Sequence, residues 1–426
     1  MFIVNSRGEV RVPVLRLSIA RCAYWVLAFS LLYGGVACAA DFQFSPRISV
    51  SSEYNDNVTQ TKQAKSDFLW LIKPGLSATY EHSRVFANLS YDFEFKKYQE
   101  GNSSNEKNHY LNALTKVEAL KELFFIEVSD DYKKVFRDVT RGDVPEGDTN
   151  VNTTDQNTFG VKPYFVIPLQ ERTNLTAGGE FRDIWYSKEG SVDKRNYRLF
   201  SDLTHDLTER WSLTGGAGFE MQDPRFEEGG FKRYNLVIGT KYSYAEGSYV
   251  ELNWKPTYTD FTIQGASNKQ YNPYSLNLVH AFSGTLSASA STSMYFSEDP
   301  SSADTLNTFT HKVSLSQQYD RGEITCSLAY NDYENNDSIS RSTYWRPSLG
   351  GTHSLTERLA LRYNAYVDMH SNPDSDKYIF SMLGLSYSLS ASTSASLSYR
   401  FKNSDKQGSA NDYTSNTLGL TLSWQY

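Results

Sequence analysis

The side chains that could carry chemistry are scattered along this 426-residue chain rather than assembled. The seven histidines are His82, His109, His205, His280, His311, His353 and His370, each isolated from the others in sequence. No Gly-x-Ser-x-Gly elbow accompanies them, so a serine hydrolase would lack its nucleophile turn. Oxygen-rich stretches at Tyr54-Asn55-Asp56-Asn57 and at 143–148 have no EF-hand spacing, and turn chemistry accounts for their Asn and Asp. Arg141-Gly142-Asp143 spells an adhesion tripeptide inside a loop of Gly, Asp and Thr, where it is expected by chance. There is no Gly-rich phosphate loop, haem motif or CxxC. The expectation is therefore a protein with no catalytic residue, no metal and no cofactor.

What remains is charge, and it falls in two groups. Asp92, Glu94, Glu118, Glu127, Asp131, Glu180 and Glu220 form an acidic set, with Lys96, Lys116, Lys133 and Arg182 among them. Lys312, Arg346, Arg362, Arg400 and Lys402 form a basic set later in the chain, against Asp368. All of them occupy the polar phase of an alternating pattern. Leu89, Tyr91, Phe93 and Phe95 share one phase, while Ser90, Asp92 and Glu94 share the other. Leu359, Leu361, Tyr363, Ala365, Val367 and Met369 likewise oppose Arg362, Asn364 and Asp368. A period of two puts such sets on opposite faces of a β-strand.

Twenty segments of this kind run from 44–55 to 413–426. They are joined alternately by very short turns, such as 81–83, 121–122 and 208–209, and by longer polar connections, such as 56–66, 99–107 and 137–156. Leu169-Gln170-Glu171-Arg172, Leu207-Thr208-Glu209-Arg210 and Leu355-Thr356-Glu357-Arg358 repeat one turn motif at short positions. Two sorted loop classes and an apolar face on essentially every strand predict an all-β, transmembrane, up-and-down antiparallel barrel of 18–20 strands. It would carry short periplasmic turns and longer outer loops. Backbone groups in hydrocarbon must all be paired, so the first strand must meet the last. The apolar faces then point to lipid, with Trp70, Trp185, Trp211, Trp254, Trp345 and Trp424 near strand ends. His280, His311 and His353 fall on the same lipid faces, near the periplasmic ends. The charged sets line the lumen as an acidic arc and a basic arc. If anything narrows the bore, 137–156 is the longest connection and the best candidate.

Composition agrees. The chain has 30 Tyr and 24 Phe, yet only 39% of its residues are hydrophobic and its mean hydropathy is −0.53. That suits strands with one apolar and one wet face. Residues 1–39 read as a cleaved signal peptide: Arg7, Arg11, Arg16 and Arg21, an apolar run from Ala23 to Val36, and the small residues Ala37-Cys38-Ala39. Residues 40–426 then form a single barrel domain, beginning too near the cleavage site to carry an N-terminal plug. The formal charge is −7 for the whole chain, and the signal segment takes four Arg and one Glu with it. The mature chain is thus more acidic, which argues against nucleic acid as a partner. Of the three cysteines only Cys326 remains, too few for a disulfide framework.

The stretch SPRISVSSEYNDNVTQT (45–61), followed by SDFLWLIKPGLSATYEHSRVFANLSYDFEFKKY (66–98), resembles the outer-membrane β-barrel proteins found with exosortase/PEP-CTERM and exopolysaccharide loci. The likeness is best over 45–136. Asn55 stands where Thr often precedes the Asp-Asn step. The resemblance implies an integral outer-membrane, pore-like protein of a Gram-negative bacterium, with outer-membrane lipid and the polysaccharide export machinery or its polymer as partners. The reading is a passive conduit exporting an extracellular polysaccharide or related polar solutes. The alternative is a structural or surface-binding barrel with an occluded lumen. At the C-terminus, Leu418, Leu420, Leu422, Trp424 and Tyr426 alternate with small or polar residues. Such a closing strand resembles the insertion signal read by the barrel-assembly machinery.

Overall fold

The computed structural model describes residues 41–137, 153–225, 229–262, 268–299, 305–335, 341–372, 376–405 and 412–426, together with two short segments near the start. Those two, Ile3–Val4 and Val10–Arg11, pair with each other. The rest of the expected signal segment, and most of the 137–156 connection, lie outside the described residues.

Twenty strands follow: β1 (Asp41–Asn55), β2 (Asp67–His82), β3 (Val85–Tyr98), β4 (Glu106–Leu120), β5 (Phe124–Phe136), β6 (Thr153–Gln170), β7 (Thr173–Tyr186). The middle of the chain gives β8 (Lys194–Thr208), β9 (Trp211–Pro224), β10 (Phe231–Ala245), β11 (Ser248–Trp254 and Thr257–Phe261), β12 (Lys269–Tyr271 and Tyr274–Ala281), β13 (Leu286–Glu298) and β14 (Thr305–Tyr319). The last six are β15 (Gly322–Asn335), β16 (Arg341–Ser354), β17 (Leu359–Asn372), β18 (Lys377–Ser388), β19 (Thr393–Asp405) and β20 (Tyr413–Gln425). Each pairs with its sequence neighbours, and the sheet closes where β20 meets β1, from Thr417 opposite Asn55 to Gln425 opposite Arg47. Among the described residues there is no helix. The all-β barrel and its strand number stand as the alternation predicts.

The breaks in β11 and β12 fall at Pro256 and Pro273, which have no N–H to give a ladder. Their carbonyls still serve: Leu236 donates to Pro256 and Lys255 to Pro273. Strands run further than the alternation indicates. β6 begins at Thr153, inside the expected 137–156 connection, because its outer end is polar on both faces and so carries no period-two signal. One face departs from the pattern. β5 turns Asp130 and Lys134 outward with Ile126 and Val128, and Asp130 is buried there by its neighbours.

The short turns share one device. In the repeated motif Thr208 and Thr356 accept the backbone N–H of Arg210 and Arg358 two residues on, the local hydroxyl turn that lets a hairpin reverse tightly. The carbonyls of Arg172, Arg210 and Arg358 then accept an N–H from the strand alongside.

The seam is fastened by side chains as well. Asp56 accepts both the backbone N–H and the amide of Asn416 at 2.7 Å, and Asn57 donates to the carbonyls of Thr61 and Thr414. Asn55 accepts from Ser415 at 2.9 Å. One layer further in, Arg47 on β1 grips Asp92 on β3 with two hydrogen bonds of 2.9 and 2.8 Å, reaching across β2. It can do so only because β2 carries Gly75 beneath the pair: a Cβ there would lie 2.0 Å from the Asp92 carboxylate. Gly75→Ala should therefore lower urea stability of the folded barrel by about 1–3 kcal/mol. In an Asp92→Ala background the same change should cost less than half as much. Equal losses in both backgrounds would show that the ion pair is not what the glycine serves.

Candidate functional site

The wall sorts its side chains as expected. Leu418, Leu420, Leu422 and Trp424 are exposed on the outer face of β20, next to Tyr426, while Gly419, Thr421 and Ser423 face inward. Lumenal charges are knitted into pairs. Asp92 takes Arg47, Glu94 takes Lys96 at 3.2 Å, and Glu127 takes Lys162 at 3.7 Å and the Tyr164 hydroxyl at 2.8 Å. Asp131 meets Lys133 at 3.3 Å, and Glu118 accepts the N–H of Glu122 in the short turn that follows it. On the basic side, Arg346 holds Asp368 through two hydrogen bonds of 2.6 and 2.7 Å and lies over the Tyr366 ring. Arg400 reaches Glu53 across the seam strand, and Lys402 is buried. Lys312 and Arg362 are exposed in the lumen and make no ion pair among the described residues.

The histidines stay apart. His280 stacks on Tyr244, His353 lies between Tyr319 and Tyr363, and His311 contacts Tyr330, all on the outer face. His311 sits midway along β14, not near a strand end as the sequence suggests. Each ring hydrogen-bonds a hydroxyl: Tyr244 for His280, Tyr363 for His353 and Thr292 for His311. This satisfies a polar ring on the outer face. Among the described residues no group of three or more His, Cys, Asp or Glu is placed to hold a metal ion.

The feature the alternation does not disclose is the outer end of β13. Its ladder to β12 stops at the Tyr274–Met294 pair, although β13 continues to Glu298. Beyond that point β13 turns into the bore, still paired to β14. Phe296 lies over the Arg233 guanidinium at 3.8 Å, and the Lys194 ammonium, fully buried on β8, donates to the Asp299 carbonyl at 2.6 Å. Arg233 is sandwiched, with Phe231 on its other face at 3.7 Å and its Nε on Thr259. The parting leaves a cavity of about 850 Å³ between Trp254, Tyr274, Met294 and Phe309 on the wall.

Between the turned-in strand and the wall lies a second cavity, of about 310 Å³, inside the bore. Arg182, Arg198, Arg233 and Lys255 line it, from four different strands, together with Glu220, Asn196, Tyr295 and Phe296. Glu180 stands behind them, 3.1 Å from Arg182 and 3.7 Å from Arg198. Of these residues Glu180, Arg182 and Glu220 are recognisable from alternation as lumenal. Arg198, Arg233 and Lys255 are not singled out by it, though a basic residue at the inward phase near the outer end of successive strands is a readable signal. The inward element described here is the β13 end; the 137–156 connection is outside the described residues for most of its length.

The chain matches a family model described as "Putative beta-barrel porin 2" over residues 37–117. That window holds Gly75, Asp92, Asp56 and Asn57, the β1 side of the seam and its ion pair. No curated protein matches it in sequence. Solved structures share the fold. The ferric enterobactin receptor mutant Q482A of Pseudomonas aeruginosa in complex with enterobactin is 10% identical, with TM-score 0.55 over 90% of this chain and 81% of that one. The copper transporter OprC is 12% identical, with TM-score 0.53 over 90% and 83%. The FrpB iron transporter of Neisseria meningitidis is 8% identical, with TM-score 0.51 over 91% and 82%.

Arg346 and Arg362 separate two effects of lumenal charge. Arg362→Gln should shift reversal potentials away from anions and leave stability unchanged. Arg346→Gln should shift them as well and destabilise the barrel by about 1–3 kcal/mol, because Asp368 is left buried and unpaired. Reversal potentials unchanged in both variants would remove lumenal cations from selectivity. Closed sheet and two-faced strands together make the chain a twenty-stranded antiparallel β-barrel, similar over residues 37–117 to a β-barrel porin family and in fold to outer-membrane receptor barrels.

Proposed function

We propose that the protein is a passive outer-membrane pore that exports an extracellular polysaccharide or related polar solutes through its lumen, with no covalent chemistry. The observation that carries this reading is the closed wall of twenty strands whose inner face is polar from strand to strand. Barrels of 16–18 strands already enclose an aqueous channel. Lumenal aromatic rings beside charged groups, such as Tyr366 with Arg346 and Asp368, offer flat faces to sugar rings and hydrogen bonds to their hydroxyls. The polysaccharide itself rests on the resemblance of residues 45–136. Transfer along the bore would be diffusion, biased by the lumenal charge. The siderophore and metal ligands named for the structural neighbours are not carried over, since likeness at this identity concerns the fold.

A second reading, a structural or polymer-binding barrel with an occluded lumen, draws on the inward turn of β13. The two part in a planar bilayer. A conduit gives stepwise single-channel conductance, and Phe296→Ala raises it by removing the ring that stands in the bore. Purified, folded protein with no conductance in either form would sink the conduit. In cells, loss of the conduit should trap polymer in the periplasm.

A further inference from the structure

We infer that the cavity behind the β13 end is a binding site for a hydroxylated anion, a sugar acid or comparable carboxylate-bearing solute. The inference deepens the reading of the bore as a passage for polar cargo and names the charge of that cargo.

Four cations and one acid line the space, so its wall carries a formal charge of three positive. Two of the guanidiniums are committed. Arg182 and Arg198 share Glu180, and Arg198 also lies over Phe200 at 5.3 Å. Arg233 is held between the ring faces of Phe231 and Phe296, which fixes its plane. The Lys255 ammonium is different. It makes no hydrogen bond or ion pair among the described residues, and the charges acting on it are Arg198 and Arg233 against Glu220 and Asp202. A half-buried ammonium beside two guanidiniums is stabilised by an anion that enters, because water is displaced and the attraction then acts at low dielectric.

An independent observation comes from Asn196. Its side chain is 4% exposed, lines the same cavity, and its amide oxygen has no hydrogen-bond partner. A buried amide oxygen without a donor costs free energy unless a ligand or water supplies one. A hydroxyl from the solute would supply it, which is why a hydroxylated anion fits better than a bare ion. Tyr295 and Phe296 close the space with aromatic faces of the kind that pack on a sugar ring. The site is built from β7 to β13, so it exists only because β13 leaves the wall and turns inward.

The test uses the full-length barrel in detergent and in planar bilayers, with D-glucuronate as probe and D-glucose as its neutral counterpart. Equilibrium titration should show saturable glucuronate binding and none for glucose at the same concentrations. Lys255→Gln should weaken glucuronate by at least about tenfold. Glu220→Gln should tighten it, and this opposite sign guards against a variant that merely misfolds. Asn196→Leu should weaken glucuronate more than inorganic phosphate, since phosphate does not need the same donor geometry. Failure to bind glucuronate in barrels that conduct overturns the site and leaves the conduit standing. Saturable binding in barrels that never conduct overturns the conduit and leaves the site. Equal binding of glucose, or no response to Lys255 and Glu220, overturns the anionic assignment.

Discussion

Everything in this molecule depends on the backbone hydrogen bond in a medium without water. A strand edge facing hydrocarbon has no alternative partner, so each rung left open costs several kcal/mol. Nineteen of the twenty strand contacts are made by neighbours in sequence and form as the chain is laid down in hairpins. The twentieth, β20 on β1, joins residues about 370 apart and pays the loop-closure cost of nearly the whole chain. Side chains are concentrated at that place: Asp56 on Asn416, Asn57 on Thr414, Asn55 on Ser415, Glu53 on Arg400. Arg47 on Asp92 ties β1 back to β3 behind it. The matched stretch 37–117 includes the first-strand side of this closure.

The same constraint dictates where irregularity is tolerated. Pro256, Pro273 and the parting of β12 from β13 fall at one level of the wall, next to the Trp254–Tyr274 and Tyr274–Met294 rungs. Trp254 and Tyr274, facing each other at the last regular rungs, stand where aromatic rings mark the edge of the apolar band.

This division also explains what could be read in advance. Strand number and alternation follow from a period of two, which is a local property, and the exposure of Leu418, Leu420, Leu422 and Trp424 keeps to that period. The ends of strands could not be read: β6 starts at Thr153 because the rungs persist where both faces are already polar. Nor could Asp130, an acid on an outward phase, be reconciled with a uniform apolar face; its burial depends on neighbouring strands. The acids and bases were visible as lumenal, whereas their pairing was not, since Glu127 with Lys162 and Arg346 with Asp368 join separate strands through register. The cavity is further still from the sequence. It requires seven strands to be in place and one of them to bend.

A constriction made from a strand end differs physically from one made by a loop. The β13 end stays hydrogen-bonded to β14 up to Glu298, so it enters the bore as part of a two-stranded ribbon rather than as free chain. Its tip is held at two points on strands further round the wall, Phe296 on Arg233 of β10 and the Asp299 carbonyl on Lys194 of β8. Both anchors are buried cations that would otherwise be exposed to the lumen. Removing the ribbon would therefore uncover Arg233 and Lys194 and raise the positive potential of that arc. Keeping it there directs the remaining field, from Lys255 and its neighbours, into a space the size of one solute. Most of the lumenal charge is paired, and the bent strand leaves a few cations facing an enclosed volume.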